Sequence, residues 1–490
     1  MKENNKFFIT TAIPYVNARP HIGFALEIVQ TDAIARWRRQ QGDEVKFLTG
    51  TDENALKNVQ AAFEAGREVK EFVAENAELF KNLLVTLNIS NDDFIRTSAE
   101  DRHIKGAQKL WSSCKSEDIY KKIYKGLYCL GCEEFKLEKD LVNGECPEHP
   151  GKKIQEVEEE NYFFRLSAYQ DKILKLIESE EIKIVPEGRR NETLGFVRSG
   201  LEDFSISRSS QRAKHWGVQV PGDPSQVMYV WFDALSNYIN ALGYADNTKD
   251  FQEYWERGET LHVIGKGINR FHGVYWPAML MSARVALPKK IFIHGYVTVD
   301  GQKMSKTIGN VIDPIELVEK YGIDPVRYYL LREIPSGEDG DFSQKKFEER
   351  YNGDLANGLG NLVARVTTLG EKVSPMPVQK NEDIIKEIER VKASVQKYME
   401  AFHLNEALGA IWELISFGDK YINDTKPWTI KDDPVALQKI IADAALLIDA
   451  IRYLIDPFLP DTAKKIGEQI VVDGNNINIR KSGNLFPRLS

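Results

Sequence analysis

The sequence predicts an α/β protein with a split, doubly wound (Rossmann-type) parallel sheet, followed by an all-α helical bundle. In roughly the first 115 residues, strand-like runs alternate with helix-period stretches, as in βαβ units. The alternation is interrupted and resumes near Leu261, so we expect an insertion that splits the sheet. From about Phe342 helical periodicity continues while the β signal nearly disappears, which indicates a helical bundle.

The expected sheet strands are short runs rich in apolar and β-branched residues: Phe7–Thr11, Val45–Leu48, Asp93–Arg96, Leu261–Gly265 and Ile291–His294. A long helix should begin at Ile268. The expected bundle helices have apolar residues at helical spacing: 355–369, 384–402, 404–422 and 437–454, with a break at Pro375–Pro377. In such a sheet the ligand crevice lies at the carboxyl ends of the strands.

Composition places the chain among ordinary globular proteins. It has 490 residues, of which 42% are hydrophobic and 28% charged, enough for two or three cored domains. The N-terminus runs into a strand without an apolar signal region, and we expect a cytoplasmic protein. The net charge of -8 neither supports nor excludes an RNA partner, because phosphate contacts come from local clusters of Lys and Arg.

Two segments almost 280 residues apart predict a site for a polyphosphate. Pro20–Phe24 lies where a strand passes into a helix, and a helix N-terminus attracts phosphate. Gly301–Thr307 is a glycine-containing loop with Lys303 and Lys306, before a helix begun by Asp313-Pro314. Either segment alone could arise by chance. Their order and context favour a nucleotide-activating enzyme, in which the loop's cations can meet a polyphosphate.

Three of the four cysteines lie in a spacing typical of zinc ligands. The pattern is Cys129-x2-Cys132-x13-Cys146-x2-His149, in which four N and S ligands can close a tetrahedron. Four protein ligands leave no open position, so we expect one structural Zn²⁺ in a zinc-knuckle insertion. The alternative is three reduced cysteines beside an unrelated histidine. Cys114 stands outside the pattern and is expected to be a small buried hydrophobic residue.

The two phosphate-facing segments resemble the hallmark motifs of the class I aminoacyl-tRNA synthetases, and the chain is similar to the methionyl-tRNA synthetase family over nearly its full length. Six segments in the family's order carry this resemblance: Thr11–Tyr15, Thr49–Glu53, Tyr229–Ala234, Ile264–Lys266, Phe271–Ala278 and Lys426–Trp428. The resemblance implies a ligase that activates L-methionine with ATP and transfers it to tRNA(Met).

The resemblance also implies a domain organisation in six parts. These are the first half of the nucleotide-binding catalytic domain (1–116), the connective insertion (117–220) with the zinc knuckle (129–149), the second catalytic half (221–295), the lysine-loop and stem-contact region (296–341), the anticodon-binding bundle (342–470) and a tail (471–490). The chain ends without the appended domain that dimerises some relatives, so a monomer is expected.

Site residues follow from the matched motifs. His21, Lys303 and Lys306 are the expected catalytic residues, and ATP binding adds Gly23 and Ser305, with Mg²⁺ accompanying the nucleotide. The methionine-binding residues implied by the resemblance are Ala12, Ile13, Tyr15, Asp52, Trp231, Ala234, Tyr238, Ile268, His272 and Trp276, of which Asp52 receives the ammonium group. The implied anticodon-binding residues are Asn357, Arg365, Pro427 and Trp428.

The chain departs from the family pattern at four places. Phe24 replaces the second histidine of the first motif, Gly267 replaces an aspartate, Asn54-Ala55 replaces His-Gly, and Leu235 replaces a proline seen in some members. Three of these lie around the expected ATP or adenylate site. Because His21, Gly23, Lys303, Lys306 and Asp52 are retained, an active enzyme is favoured.

Two other functions stay open at this point. One is a synthetase for isoleucine, valine, leucine or cysteine, although the first three normally carry a large editing insertion for which this chain has no room. The other is a non-catalytic tRNA-binding paralogue, in which the nucleotide site decays while the RNA-binding parts persist. Amino-acid activation separates the paralogue from the enzyme, whereas RNA binding does not.

Overall fold

The computed structural model describes residues 5–129, 134–136, 138–147, 151, 153–304, 309–430 and 432–489. The chain divides into two compact units. Unit 1 comprises residues 1–20, 42–84 and 90–294, and unit 2 comprises residues 21–41, 85–89 and 295–490. Within these described ranges, none of the helices combines the length and apolar character needed to span a membrane.

Unit 1 contains most of the strands. They are β1 (Lys6–Thr11), β2 (Glu44–Thr51), β3 (Asp93–Arg96), β4 (Ile119–Cys129), β5 (Glu134–Lys136), β6 (Gln155–Phe164), β7 (Lys183–Val185), β8 (Phe204–Ser205), β9 (Ser207–Ser209), β10 (Gln219–Val220), β11 (Asp223–Met228), β12 (Glu259–Gly265) and β13 (Lys290–His294). Its α-helices are Leu56–Glu64, Val69–Thr86, Asp101–Ser113, Gln170–Glu178, Glu187–Arg198, Val230–Asn240 and Trp276–Ala283.

Six strands of unit 1 form one parallel sheet in the order β3-β2-β1-β12-β13-β7. All five predicted sheet strands are confirmed. β1 lies in the middle, where Phe7 pairs with Val45 on one side and with Glu259 on the other, and it is buried along nearly its whole length. A parallel sheet of this kind is buried on both faces, which accounts for the burial of β1 on both of its sides.

The sixth strand, β7, was not expected. It comes from the predicted insertion and pairs Ile184 with Ile291 at the edge of the sheet. With only three residues, it is too short to show a period-two pattern. The other strands of this region, together with β11 just beyond it, form two antiparallel sheets, β5-β4-β6-β8 and β10-β11-β9.

The helix expected from Ile268 is irregular. A 3₁₀ turn at Lys266–Ile268 precedes a π-helical segment at Phe271–Tyr275 and then the α-helix Trp276–Ala283. Pro277 has no N–H to donate to the carbonyl four residues earlier, which accounts for the locally wider turn.

Unit 2 is mainly helical. Its α-helices are Ile22–Gln40, Pro314–Tyr321, Ile323–Arg332, Gln344–Arg350, Asn361–Gly370, Glu382–Glu400, Leu404–Thr425, Pro434–Ile455 and Pro460–Gln469, with a π-helical segment at Tyr351–Gly360. Its strands are β14 (Val297–Val299), β15 (Gln302–Lys303), β16 (Gly340–Phe342), β17 (Met376–Pro377), β18 (Ile470–Asp473) and β19 (Asn476–Ile479). The predicted helical bundle is confirmed.

The stretch expected to be a tail contains a β-hairpin. β18 and β19 pair antiparallel around Gly474, whose φ of +55° suits glycine, and β17 joins them. In β19, Ile477 and Ile479 are buried while Asn476 and Asn478 are exposed. This alternation is a strand signal that the Asn-rich composition obscured.

Candidate active site

Asp52 lies where the carboxyl ends of two neighbouring strands of unit 1 meet. The segment after β1 and the segment after β2 run side by side, because Tyr15 pairs with Asp52 and the Asp52 N–H donates to the Pro14 carbonyl at 2.9 Å. Asp52 is buried. The carboxylate therefore stands at the crevice where a doubly wound sheet binds its ligand.

Beside it, the helix Val230–Asn240 presents one aromatic face. Trp231, Ala234 and Tyr238 are spaced by three and four residues, so they project from the same side. Trp231 stacks on Phe271 with ring centroids 3.7 Å apart, and the Tyr238 ring centroid lies 6.3 Å from that of Trp276. Four further predicted residues are partly buried nearby: Ala12, Ile13 and Ile268 pack on the same hydrophobic core, and Tyr15 packs with Trp231 against Tyr229 and Val230.

His272 is fixed as a neutral imidazole in this aromatic cluster. Its Nδ1–H donates to the Ile268 carbonyl at 3.1 Å, so its Nε2 accepts from the Tyr238 hydroxyl at 2.7 Å. Burial lowers the pKa of His272 to about 4. The ring is uncharged at neutral pH, and its tautomer follows from its two partners.

Two residues of this cluster were not among the predicted site residues. Phe271 forms the face against which Trp231 stacks, and His262 in β12 lies with its ring centroid 4.3 Å from that of Tyr238. The His262 Nδ1 is 2.8 Å from the Thr10 hydroxyl, and burial lowers its pKa well below the usual value. Both lie in apolar runs that the sequence assigns to the core, so no local signal separated them from packing residues.

In unit 2, His21 is the N-cap of the helix Ile22–Gln40, as the first motif predicted. The Gly23 N–H donates to its Nδ1 at 3.1 Å. Although part of the residue is exposed, desolvation by surrounding protein lowers the pKa of the imidazole. A neutral ring that accepts at Nδ1 carries its proton at Nε2, which can donate to an anion.

The lysine loop begins in a β-hairpin. Strands β14 and β15 pair through Thr298 and Lys303 across the turn Asp300-Gly301, whose residues both have positive φ. Lys303 is exposed, whereas Ser305 and Lys306 lie outside the described residues. The predicted cap of the following helix is confirmed, because the Asp313 carboxylate accepts from the Ile315 N–H at 2.8 Å.

Gly23 of the first motif lies close to Met304 of the second motif within unit 2. A Cβ at this position would lie 2.9 Å from His21 Cε1 and 3.6 Å from the methyl carbon of Met304. The first distance is shorter than side chains tolerate, so the glycine allows the His21 ring to fold over the start of its own helix.

Two of the four predicted anticodon-binding residues, Arg365 and Trp428, lie against each other in unit 2. The Arg365 guanidinium lies 5.0 Å from the centre of the Trp428 ring and donates to the Asn423 side chain at 2.7 Å. Trp428 is 47% exposed and follows the buried Pro427. Asn357 is exposed on the π-helical segment.

Two of the four predicted zinc ligands, Cys129 and Cys146, lie among the described residues. Cys129 ends β4, and Cys146 follows the pairing of Val142 with Glu145; both cysteine side chains are buried. Cys132 and His149 lie outside the described residues. Cys114 is buried, as expected.

Comparison with known proteins identifies the family. The family described as tRNA synthetases class I (M) matches residues 7–157 and 150–367, and the anticodon binding domain of methionyl tRNA ligase matches residues 374–482. The chain belongs to the methionyl-tRNA synthetase family.

Curated relatives in the methionyl-tRNA synthetase family match most of the chain. A methionine–tRNA ligase of Caldanaerobacter subterraneus subsp. tengcongensis is 45% identical over 95% of this chain and 74% of its own length. The ligase of Brucella suis biovar 1 is 44% identical over 95% of this chain and 92% of its own length. The Mycobacterium tuberculosis methionyl-tRNA synthetase in complex with methionyl-adenylate superposes with a TM-score of 0.93, at 38% identity, over 98% of this chain and 99% of that one.

The predicted fold class and function are therefore confirmed in outline: a methionine–tRNA ligase with a parallel α/β sheet and a helical C-terminal region. Nothing in these comparisons favours the non-catalytic paralogue. Two departures from the family pattern lie in different environments. Gly267 is exposed on its 3₁₀ turn, and Leu235 is buried in the core of unit 1.

Proposed function

We propose that this ligase binds L-methionine at the aromatic cluster of unit 1, with the ammonium group on Asp52 and the thioether among the predicted apolar residues. The observation that carries the proposal is the arrangement of His272, Tyr238 and Trp231: a neutral histidine held between a hydroxyl and a carbonyl, beside an indole. A thioether gains about 0.3 to 1.5 kcal/mol per aromatic contact. The cluster therefore favours methionine over branched aliphatic side chains.

ATP binding is assigned to His21, Gly23, Lys303, Ser305 and Lys306. The Nε2–H of His21 and the helix N-terminus behind it supply donors for phosphate oxygens. A carboxylate oxygen of methionine attacks the α-phosphorus of ATP, the bond from that phosphorus to the bridging oxygen breaks, and pyrophosphate leaves with the electron pair. Lysine cations stabilise the charge on the leaving group. Mg²⁺ bound together with ATP would supply further positive charge for the phosphate groups.

In the second step the methionyl group passes from AMP to a terminal hydroxyl of tRNA(Met), which unit 2 selects through its anticodon. Trp428 offers an exposed aromatic face, and stacking of a base on such a face is worth about 1 to 3 kcal/mol. Arg365 and Asn357 then read the edges of splayed bases. The stacking of the Arg365 guanidinium on Trp428 supports this role, because it holds both groups in place before RNA binds.

One structural Zn²⁺ is assigned to Cys129, Cys132, Cys146 and His149. The two described donors fit it, since both are buried thiols, and thiolate is a preferred ligand of Zn²⁺. The ion would hold Cys129, at the end of β4, together with Cys146. The predicted domain boundaries, a cytoplasmic location and a monomeric state also belong to this proposal.

ATP–pyrophosphate exchange tests the proposal. Purified, zinc-loaded protein would be assayed with methionine and, separately, with isoleucine, leucine, valine and cysteine. Exchange with methionine alone is expected, and it would show that Phe24 and Gly267 are compatible with activity. A folded sample that exchanges with none of the five amino acids would contradict the assignment.

A further inference from the structure

Asn54 links the Asp52 carboxylate to a buried polar group behind the aromatic cluster. Its main-chain N–H donates to Asp52 Oδ1 at 3.2 Å, and its side-chain Nδ2 donates to Asp233 Oδ2 at 2.6 Å. The same Nδ2 lies 3.3 Å from the Thr97 carbonyl. One residue therefore has one hydrogen bond to the predicted ammonium-binding carboxylate and another to the helix Val230–Asn240.

Asp233 is a fully buried carboxylate whose two oxygens both have partners. Oδ2 accepts from Asn54, and Oδ1 lies 2.7 Å from His103 Nε2. His103 is itself fully buried, and Asn240 donates to its carbonyl at 3.2 Å. A buried carboxylate is costly unless such donors reach it, so the Asn54 side chain has one strongly preferred orientation.

Asp233 also belongs to the helix that presents the aromatic face. It lies between Trp231 and Tyr238 in the sequence, on the turn that carries Ala234. Through Asn54, the position of Asp52 is therefore tied to the position of the aromatic side chains. A substrate held at both its ammonium group and its side chain needs a fixed distance between the Asp52 carboxylate and the aromatic side chains.

We propose that Asn54 is a positioning residue for methionine, which acts through Asp52 by holding its carboxylate in register with the aromatic helix. The proposal rests on the proposed function, because it takes Asp52 as the receiver of the ammonium group. Asn54 itself does not contact the substrate. Its loss should weaken recognition of the ammonium group and leave recognition of ATP and of the thioether intact.

The test is steady-state ATP–pyrophosphate exchange with Asn54→Ala and Asn54→His, together with equilibrium binding of methionine and of its analogue that lacks the amino group. Asn54→Ala keeps the main-chain N–H bond to Asp52 and removes the side-chain bond to Asp233. We expect KM for methionine to rise about tenfold or more, the size of the lost bond to the buried Asp233 carboxylate, because that bond no longer holds Asp52 in register with the helix; KM for ATP should not change. Binding of the analogue should not change. Asn54→His keeps an N–H donor and should recover most of the affinity.

Asn161→Ala is the matched control, because it removes another buried side-chain amide, one that donates to Glu159 at 3.1 Å. It should leave KM for methionine unchanged. If Asn54→Ala does not fold, Asp233→Asn tests the same link from its other end, with the same expected change in KM for methionine.

The positioning role is overturned if Asn54→Ala keeps KM for methionine within twofold, or if it raises KM for ATP as much as KM for methionine. It is also overturned if Asn54→Ala weakens binding of the analogue as much as binding of methionine, or if Asn54→His raises KM for methionine to the same extent as Asn54→Ala. A wild-type protein that shows no exchange with methionine would instead contradict the proposed function.

Discussion

Arg327 and Asp32 form a fully buried ion pair in unit 2, with Nη2 of the arginine 2.7 Å from Oδ2 of the aspartate. The guanidinium also donates to the main-chain carbonyls of Leu87, Pro457 and Phe458 at 2.8 to 3.2 Å. The pair joins the helix that begins after His21 to the helix Ile323–Arg332. A buried charge with this many partners is stable only while all of them stay in place.

Replacement of Arg327 by methionine should therefore destabilise the protein strongly. We expect a loss of about 3 to 5 kcal/mol in the free energy of unfolding, because the Asp32 carboxylate and three carbonyls lose a buried donor. Urea denaturation followed by circular dichroism measures it. Arg390→Met is the control: its ion pair with Glu387 is exposed, and the midpoint should hardly move. Equal effects of the two substitutions would contradict the prediction.

Stability should fall on acidification because of His272 and His262. Burial holds the pKa of His272 at about 4, below its unfolded value near 6.5, so the unfolded chain binds more protons between these values. The destabilisation should begin as pH falls through about 6.5 and become complete below about 4. Urea midpoints at about pH 7.5 and about pH 5 measure it. His272→Gln cannot titrate and should show a smaller difference; an unchanged pH slope in this variant would exclude His272 as a cause.

Removal of the Trp428 side chain should impair tRNA charging without affecting amino-acid activation. Loss of a stacking surface worth about 1 to 3 kcal/mol should raise KM for tRNA about 5- to 150-fold. Aminoacylation and pyrophosphate exchange would be measured in parallel on Trp428→Ala. Tyr453→Ala removes another exposed aromatic side chain of unit 2, 41% exposed against 47% for Trp428, and should change neither activity. A similar rise in both variants would mean that the effect is not local to Trp428.

Gly23→Ala should displace the His21 ring and weaken use of ATP. The added methyl group would lie 2.9 Å from His21 Cε1, so the ring must move. We expect kcat/KM for ATP to fall about 10- to 100-fold, as for other small misplacements of a catalytic group, while methionine binding persists. Gly188→Ala is the control, since a Cβ there meets nothing within 4 Å. Full activity of Gly23→Ala would show that the position of His21 is unimportant.

Metal content should depend on Cys146 but not on Cys114. Cys146→Ala removes one of four predicted ligands, and we expect the purified protein to hold much less than one zinc per chain, with a lower thermal midpoint. Elemental analysis by mass spectrometry measures the metal. Cys114→Ala, at a buried cysteine outside the pattern, should keep a full zinc complement. Full zinc content in Cys146→Ala would remove this residue from the ligand set.

Sequence patterns predicted the parts of the fold that have a strong local signal. The strands around Phe7 and Ile291 formed where expected because they are short runs rich in apolar and β-branched residues, and the helix Leu404–Thr425 formed because its apolar residues recur at helical spacing. The hairpin at Asp300-Gly301 was not predicted, although this dipeptide is a turn signal, because the strands that it joins are only three and two residues long.

The aromatic cluster of unit 1 could not have been found from local patterns. Tyr238 and His272 are 34 residues apart, and their hydrogen bond depends on how a helix packs beside the segment that follows another strand. The resemblance to the family supplied those residues. The bond between Asn54 and Asp233 was not predicted, because the two residues are 179 positions apart and no local pattern connects them.

The edge strand β7 limits how this protein can be engineered. Its pairing of Ile184 with Ile291 means that the region between residues 117 and 220 does not form a detachable module. A chain shortened by replacing this region with a linker would leave the apolar, hydrogen-bonding edge of β13 uncovered, and such an edge recruits other chains. A minimal version should therefore keep Lys183–Val185 and the helix after it, and trim only the antiparallel sheets around them.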